Sequence, residues 1–352
     1  MTFDNSDNNV INVPFCKNFS FASGTTYGCG GIADCAFFPR TEKEACSAFS
    51  FALKSGKPFC VLGCGSDVLA QDGFYDGYVI CTSALNQIIY AADCGDISVE
   101  SKTSENYLEK TALEKNNIFG AAEKKADKNK CSLKDDSDFS LKDYAENDIA
   151  VLEVGAGVKV KDLLIFCKKN GLSGTEYIAG IPASLGGLAF MNGGAAGKYI
   201  SENIVSVRIF DGEIKTFSKE ECNFTYKHST MRDIKCVILS IKLAFKRENP
   251  LKVAQNIKNR LAERKSLPSG RSCGCVFENY CGVSAGKIIE SADLKGVRIG
   301  GAYVSEKHAN FIINDGTNSA DVYALIRYVK DEVYKKFGIT LKEEVCYIGE
   351  FK

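Results

Sequence analysis

The sequence is poor in histidine, has no net charge and has no long apolar stretch, and each of these absences excludes a class of protein. Two histidines, His228 and His308, and the lack of paired CxxC motifs leave no ligand set for zinc. Forty-four Lys and Arg residues balance forty-four Asp and Glu residues, so no long-range field attracts nucleic acid or an anionic membrane. No run approaches the roughly 18 apolar residues of a membrane span. We therefore expect no metal, no nucleic acid and no membrane among its partners.

The amino terminus also lacks the basic start and apolar stretch of an export signal. Sixteen cysteines in a long chain without such a signal are more consistent with reduced thiols than with disulfides. The sequence therefore predicts a cytoplasmic protein, and no motif in it indicates an obligate protein partner.

What is present is an ordinary globular composition with one atypical segment. The 352 residues are 45% hydrophobic and 25% charged, which allows two or three domains with sizeable cores. Residues 101–148 contain no proline, one glycine and several charge runs, a composition typical of a solvated insert. Strand patterns on both sides predict a hairpin whose connection the insert has lengthened. A partner-binding helix over residues 106–126 is the alternative.

Three segments are rich in glycine. Residues 63–67 read Gly-Cys-Gly-Ser-Asp between an apolar strand and a short polar loop, and such a turn can direct backbone N–H groups toward a pyrophosphate. They lack the third glycine of a Rossmann fingerprint and the lysine of a P-loop. Residues 180–187 and 192–197 add two further glycine loops. With mixed strands and helices, including a helix over 319–337 that Gly338 ends, these loops predict an α+β protein that binds a long phosphate-bearing cofactor.

Seven motifs then follow one another along residues 20–352 outside the insert. They are TTYGCGGIAD, LGCGSDVLAQDGFYDGYVI, VGAGVKVKDLL, GLSGTEYIAGIPASLGGLAFMNGGAAG, FTYKHSTMRD, SCGCVFENYCGVSAGKIIESADLKGVRIGGAYVSEKHANFIIN and EEVCYIGE. In this order they closely resemble the UDP-N-acetylenolpyruvoylglucosamine reductases, a family of flavoenzymes of peptidoglycan synthesis.

The resemblance implies a two-subdomain FAD-binding fold of the vanillyl-alcohol-oxidase type followed by a C-terminal α+β substrate-binding domain. The implied division is an N-terminal segment at 1–19, an FAD-binding domain at 20–248 and a substrate-binding domain at 249–352. The FAD-binding domain comprises 20–90 and 149–248 on either side of the insert. The short C-terminal part resembles the smaller subtype of the family.

The resemblance also implies the ligands. FAD is expected to bind without a covalent link, NADPH to reduce it, and the UDP-sugar enolpyruvate then to occupy the same site. The implied FAD contacts are Gly63, Cys64, Gly65, Ser66, Asp67, Gly180, Ile181, Pro182, Ser184, Gly186, Gly187 and Asn192. The implied substrate contacts are Tyr226, Asn279 and Lys287.

The chemistry of the reaction sets the tasks of three further residues. Reduction of an enol ether conjugated to a carboxylate builds negative charge on that carboxylate and needs a proton at the neighbouring carbon. The motifs imply Lys227, Cys275 and Glu344 as the catalytic residues, with Lys227 where the family usually has arginine and Cys275 where it usually has serine. Lysine keeps the charge without the two-pronged geometry of arginine, and a thiol is a far stronger acid than a hydroxyl. The expected product is UDP-N-acetylmuramate.

Two other functions stay open on the sequence alone. One is an oxygen-using flavin oxidase on the same fold. The other, motivated by the substitutions at Lys227 and Cys275, is a degenerate protein that binds a UDP-sugar without turnover. A further expectation concerns Cys64, which replaces a usual glycine and would strain its turn if the backbone there had a positive φ.

Overall fold

The fold is described from a computed structural model in residues 3–4, 10–93 and 149–351. The strands are β1 (Phe3–Asp4), β2 (Val10–Ile11), β3 (Phe15–Ser20), β4 (Ile32–Phe37), β5 (Phe59–Leu62), β6 (Val68–Ala70), β7 (Phe74–Cys81), β8 (Ile88–Asp93), β9 (Ile149–Gly155), β10 (Leu172–Ser173), β11 (Gly194–Ala195), β12 (Lys198–Tyr199), β13 (Ile204–Phe210), β14 (Ile214–Ser218), β15 (Val237–Arg247), β16 (Arg298–Ile299), β17 (Ala302–Val304), β18 (Ile312–Asn314) and β19 (Cys346–Ile348). The α-helices are α1 (Phe21–Gly24), α2 (Glu42–Lys54), α3 (Val160–Lys169), α4 (Leu185–Met191), α5 (Thr230–Asp233), α6 (Pro250–Glu263), α7 (Ala285–Ser291) and α8 (Ser319–Phe337).

The first layer is a four-stranded sheet in the order β3-β4-β7-β5. β4 and β5 each pair with β7 in parallel, and β3 pairs with β4 in the antiparallel sense. Helix α2 covers this sheet, and the hydroxyl of Thr41 caps the helix by accepting a hydrogen bond from the Glu44 N–H. The buried side of α2, including Phe49, packs into the core between the sheet and the helix.

The second layer is an antiparallel sheet in the order β14-β13-β15-β9-β8, with β10 also paired to β15. β9 alternates buried and partly exposed residues, which is the two-residue period of a strand with one face on the core. The hairpin predicted around the insert is confirmed, because β8 pairs with β9 and Asp93 lies opposite Ala150. The predicted insert at 101–148, and the helix predicted as its alternative at 106–126, lie outside the described residues.

The C-terminal part is a small antiparallel sheet, β16-β17-β18, packed against α8. The predicted helix is confirmed over Ser319–Phe337, and Gly338 ends it with a φ of 67°. Asp72 lies far away in sequence, yet its two carboxylate oxygens accept hydrogen bonds from the N–H groups of Ser319 and Ala320. The first layer therefore supplies the amino-terminal cap of this helix.

A two-stranded parallel pair joins the end of the chain to the first layer. β19 pairs with β6, so that Cys346 lies opposite Val68 and Ile348 opposite Ala70. The sequence predicts a polar loop after residues 63–67, and this is wrong at β6. Its three residues form a strand because their partner arrives from the opposite end of the chain.

Candidate active site

A cavity of about 1020 Å³ lies where the two sheets and the C-terminal part meet. This volume is at the upper end of the roughly 300–1,000 Å³ that is usual for ligand pockets. All three glycine loops that the sequence singles out contribute to its wall.

The first loop, residues 63–67, lines the cavity and packs closely against neighbouring parts of the protein. A Cβ atom at Gly63 would lie 2.2 Å from the Ser184 hydroxyl, and one at Gly65 would lie 2.1 Å from the carbonyl oxygen of Gly24. Gly65 has a φ of +63°, whereas Cys64 is not among the residues with positive φ. The strain expected at Cys64 if its φ were positive therefore does not arise, since glycine fills the left-handed position.

The second loop, residues 180–187, lies directly beside the first. All the residues predicted there to contact a cofactor, Gly180, Ile181, Pro182, Ser184, Gly186 and Gly187, line the wall. The Gly186 N–H donates to the carbonyl of Ala156, and the Ser184 hydroxyl accepts from the Gly187 N–H. These contacts fix the loop against β9 and the start of α4.

Asn192 lies behind this wall rather than on it. It ends α4 with a φ of 44°, and its side chain donates to the carbonyl of Thr225 at 2.8 Å and accepts from the N–H of Ser201. Its side chain thus holds the turn that carries Lys227, and the predicted contact of Asn192 with a cofactor stays a prediction.

The cavity suits an FAD-sized ligand. The first two glycine loops pack closely together, since a Cβ atom at Gly63 would meet the Ser184 hydroxyl, and both line the cavity. Three cations, Lys235, Arg264 and Lys265, lie on the wall and can face a pyrophosphate. The residues present therefore fit the cofactor, with residues 63–67 and 180–187 as its cradle.

Lys227 occupies the corner of a tight turn. The N–H of His228 donates to the Thr225 carbonyl, and Lys227 has a φ of 56°. A left-handed conformation costs a non-glycine residue about 1–2 kcal/mol. Arg232 supports the turn by donating to the Lys227 carbonyl. This backbone conformation carries the Lys227 ammonium into the cavity wall, where it forms an ion pair with Glu344.

Cys275 and Glu344 lie on neighbouring extended segments. The Glu344 N–H donates to the Val276 carbonyl, and Cys275 itself pairs with Phe311. The buried side chain of Asn310 binds both backbone groups of Phe277, which fixes the Cys275 segment from the other side. The structure thus brings Lys227, Cys275 and Glu344 to one wall of the cavity, although 48 residues separate the first two.

Burial controls the protonation of these groups. Burial and the nearby Glu344 carboxylate raise the pKa of the Cys275 thiol to about 11. Burial raises the pKa of Glu344 to about 7, although Lys227 acts in the opposite direction. Burial alone would lower the pKa of Lys227, but Glu344 and Asp67 together raise it above its usual value. At neutral pH the site therefore holds a protonated thiol and a charged lysine.

The three predicted substrate contacts lie outside the cavity lining. The Tyr226 hydroxyl accepts a hydrogen bond from the Asn279 N–H, and the Asn279 side chain accepts one from the Ala285 N–H. Lys287 is exposed on α7. These residues connect the Lys227 turn to the C-terminal part, and their contact with a substrate stays a prediction.

Sequence reasoning did not single out the cations Lys235, Arg264 and Lys265. The ammonium of Lys235 lies 4.6 Å from the centre of the Phe59 ring. The side chain of Arg264 packs against the second glycine loop, since a Cβ atom at Gly180 would lie only 3.0 Å from Nε of Arg264. Burial, and then the charge of Arg260, lower the pKa of Arg264. In the sequence, their only signal is that they are basic residues near helix ends. This signal is weak, because such residues are usually solvated.

Within the described residues no cluster of three or more His, Cys, Asp or Glu side chains has a geometry suited to a metal ion. Among the helices of the same part of the chain, none is both long and apolar enough to span a membrane.

Comparison with known proteins gives two matches to family models. Residues 265–348 match the C-terminal domain of UDP-N-acetylenolpyruvoylglucosamine reductase, and residues 138–218 match an FAD binding domain. The chain is similar to the UDP-N-acetylenolpyruvoylglucosamine reductase of Lactiplantibacillus plantarum, with 31% identity over 95% of this chain and 93% of that protein. The enzyme of the same name from Streptococcus pyogenes is 33% identical over 91% of each chain.

A solved structure is similar in fold. The crystal structure of UDP-N-acetylenolpyruvylglucosamine reductase from Thermus caldophilus superposes with a TM-score of 0.68 at 24% identity, over 96% of this chain and 100% of that chain. This likeness and the family matches confirm the predicted fold class, a two-subdomain FAD-binding fold followed by a C-terminal α+β domain.

Proposed function

The chain belongs to the family of UDP-N-acetylenolpyruvoylglucosamine reductases, and from that premise we propose that it uses NADPH to reduce UDP-N-acetylglucosamine enolpyruvate to UDP-N-acetylmuramate for peptidoglycan synthesis. It is an oxidoreductase with an FAD-binding domain. NADPH and the UDP-sugar are the proposed substrates, and the cytoplasm is the proposed compartment. The division into residues 20–248 for FAD and 249–352 for the substrate is part of the same proposal.

One observation supports this function above the others. Lys227, Cys275 and Glu344 lie on the wall of the same cavity that the glycine loops line. When bound, FAD supplies two-electron redox chemistry that couples oxidation of NADPH to reduction of the substrate double bond. The protein must then stabilise charge on the substrate carboxylate and deliver one proton to the adjacent carbon.

The side chains of the wall suit these two tasks. The Lys227 ammonium can face the substrate carboxylate as negative charge builds up there, and Glu344 keeps that ammonium in place through their ion pair. The Cys275 thiol is protonated at neutral pH and can transfer its proton to the carbon next to the carboxylate. The thiolate then regains a proton from solvent, so the overall reaction consumes one NADPH and one proton.

The absorption spectrum of the holoenzyme tests the proposal. Under anaerobic conditions NADPH should bleach the flavin band, and the enolpyruvyl substrate should restore it. UDP-N-acetylglucosamine, which lacks the enolpyruvyl group, is the matched control and should not restore the band. A band that returns only with oxygen would indicate an oxidase, and a band that never returns despite bound UDP-sugar would indicate the degenerate binding protein.

A further inference from the structure

A second carboxyl group, that of Asp67 in the first glycine loop, lines the same cavity as the Lys227–Glu344 pair, and the proposed proton transfer does not use it. Asp67 is the residue before β6, and its carbonyl accepts a hydrogen bond of 2.8 Å from the Cys346 N–H. β6 and β19 run parallel, and Glu344 stands two residues before Cys346. The two acidic residues therefore approach the cavity from the same end of one strand pair, and both line its wall.

The Asp67 carboxyl group differs from other acidic groups in its surroundings. Glu344 is paired with Lys227, and Asp72, five residues after Asp67, caps helix α8. The Asp67 carboxyl makes no hydrogen bond or close ion pair in the described ranges 3–4, 10–93 and 149–351. A negative charge on this carboxyl group nevertheless acts on its neighbours.

Several titratable or charged groups lie close enough to this carboxyl group to interact with it electrostatically. They are Lys227 and its neighbour Arg232, then Glu344, and the thiols of Cys273, Cys275 and Cys346. The two cations come from the Lys227 turn and α5, and the remaining groups come from the C-terminal part of the chain. All of them except Arg232 line the cavity in which the proposed proton transfer takes place.

We propose that Asp67 is a positioning residue that sets the proton occupancy of the Lys227–Glu344 pair during reduction of the enolpyruvyl substrate. Two carboxyl groups and one directly paired lysine then share a buried site that also receives the substrate carboxylate. The incoming anion adds negative charge, so the site takes up a proton from solvent onto one of its carboxyl groups. After the Cys275 thiol has protonated the substrate carbon, the carboxyl group passes this solvent proton to the Cys275 thiolate, so the proton balance closes and no oxidant or further reactant is required.

The pKa shifts agree in sign with this role. Burial raises the pKa of Asp67, while Lys227 and Arg232 act against it. Asp67 in turn contributes to the raised pKa values of Lys227 and Glu344. Removal of the Asp67 charge should therefore let both groups release their protons at lower pH. This role rests on the proposed function, but the coupling between the two carboxyl groups can be measured without turnover.

The experiment compares Asp67→Asn with Asp72→Asn, two substitutions of the same kind five residues apart. Carbon-13 NMR of glutamate carboxyl groups follows Glu344, whose resonance is assigned by its absence in Glu344→Gln. In Asp67→Asn the Glu344 midpoint should move to lower pH by on the order of one unit, the scale of a neighbouring like charge. In Asp72→Asn it should stay at the wild-type value. Asp67→Ser removes the same charge with a smaller side chain and serves if the Asn variant does not fold.

The kinetic readout is the pH profile of substrate-driven flavin reoxidation, measured per bound flavin. The midpoint that belongs to Glu344 should shift down in Asp67→Asn and return toward wild type in Asp67→Glu. A Glu344 resonance that titrates at the wild-type pH in both charge-removing variants overturns the role of Asp67, whether or not the enzyme turns over. Failure of the wild-type protein to reduce the enolpyruvyl substrate would instead contradict the proposed function and leave the NMR result intact.

Discussion

Replacement of Cys275 tests the proposed proton donor most directly. In Cys275→Ala, NADPH should still bleach the flavin, because that half-reaction needs no proton at the substrate carbon. Reoxidation by the enolpyruvyl substrate should slow by roughly 10²–10⁴-fold, which is the usual contribution of a positioned acid. At 1.36 kcal/mol per tenfold this is about 3–5 kcal/mol of barrier. Cys275→Ser should remain clearly active, because the reductase family usually has serine, and therefore a hydroxyl group, at this position.

The pH dependence follows from burial of the thiol. Because the protonated thiol is the donor and its pKa is raised to about 11, the contribution of Cys275 should persist up to about that pH and disappear above it. An exposed thiol with a pKa of about 8.5 would already be mostly ionised at pH 10. The structure therefore predicts that the reoxidation rates of the wild type and of Cys275→Ser change in the same way between pH 8 and 10. Any effect of Glu344 titration is present in both proteins and cancels in this comparison.

Stopped-flow absorbance separates the two half-reactions and is the appropriate assay. Iodoacetamide is less informative, because fifteen other cysteines could react. If Cys275→Ala were reoxidised at the wild-type rate, the proton would come from another group or from water. If the wild-type rate fell near pH 8.5 and the serine variant did not share the loss, the burial argument would be refuted.

Three further predictions concern the insert, the cradle and the ion pair. A variant in which a short turn replaces residues 101–148 should keep its flavin content and turnover within a few-fold of the wild type, since β8 and β9 already pair. A soluble deletion variant without FAD would show that the insert is part of the fold. Gly65→Ala should reduce flavin content in an absorbance assay, because the added Cβ atom would meet backbone. The control is Gly73→Ala, where φ is also positive, at 83°, but the space is open, so that this variant should keep its flavin and lose only about 1–2 kcal/mol of stability. Equal flavin content in both variants would contradict the role of the first glycine loop in binding FAD. Lys227→Met leaves Glu344 buried without its partner, so urea unfolding at pH 8 should show a free energy of unfolding lower by about 3–5 kcal/mol. The loss should be smaller at pH 5, where protonation of Glu344 removes its charge. An equal loss at both pH values would argue against a buried charge as the cause.

The pattern of residues along the chain determines the local elements by itself. The helix at Ser319–Phe337 is predictable because its buried residues recur at helical spacing and Gly338 ends it. The hairpin on either side of the insert is predictable because alternating strands flank a charged segment. The glycine loops are predictable from their composition, and the structure shows why glycine is needed in the first of them: a side chain at Gly63 or Gly65 would collide with Ser184 or with the Gly24 backbone.

The relation between distant segments was decided only by the tertiary structure. β6 is a strand solely because residues 346–348 pair with it, and this pairing brings Asp67 and Glu344 to one strand end. The left-handed backbone of Lys227 gives no signal in a sequence, because lysine rarely adopts it and only the surrounding contacts stabilise it there. Burial, which sets the protonation of Cys275 and Glu344, depends on how all three parts of the fold close over the cavity. The sequence thus determines which side chains are available, while packing over long sequence distances determines which of them meet and in which charge state.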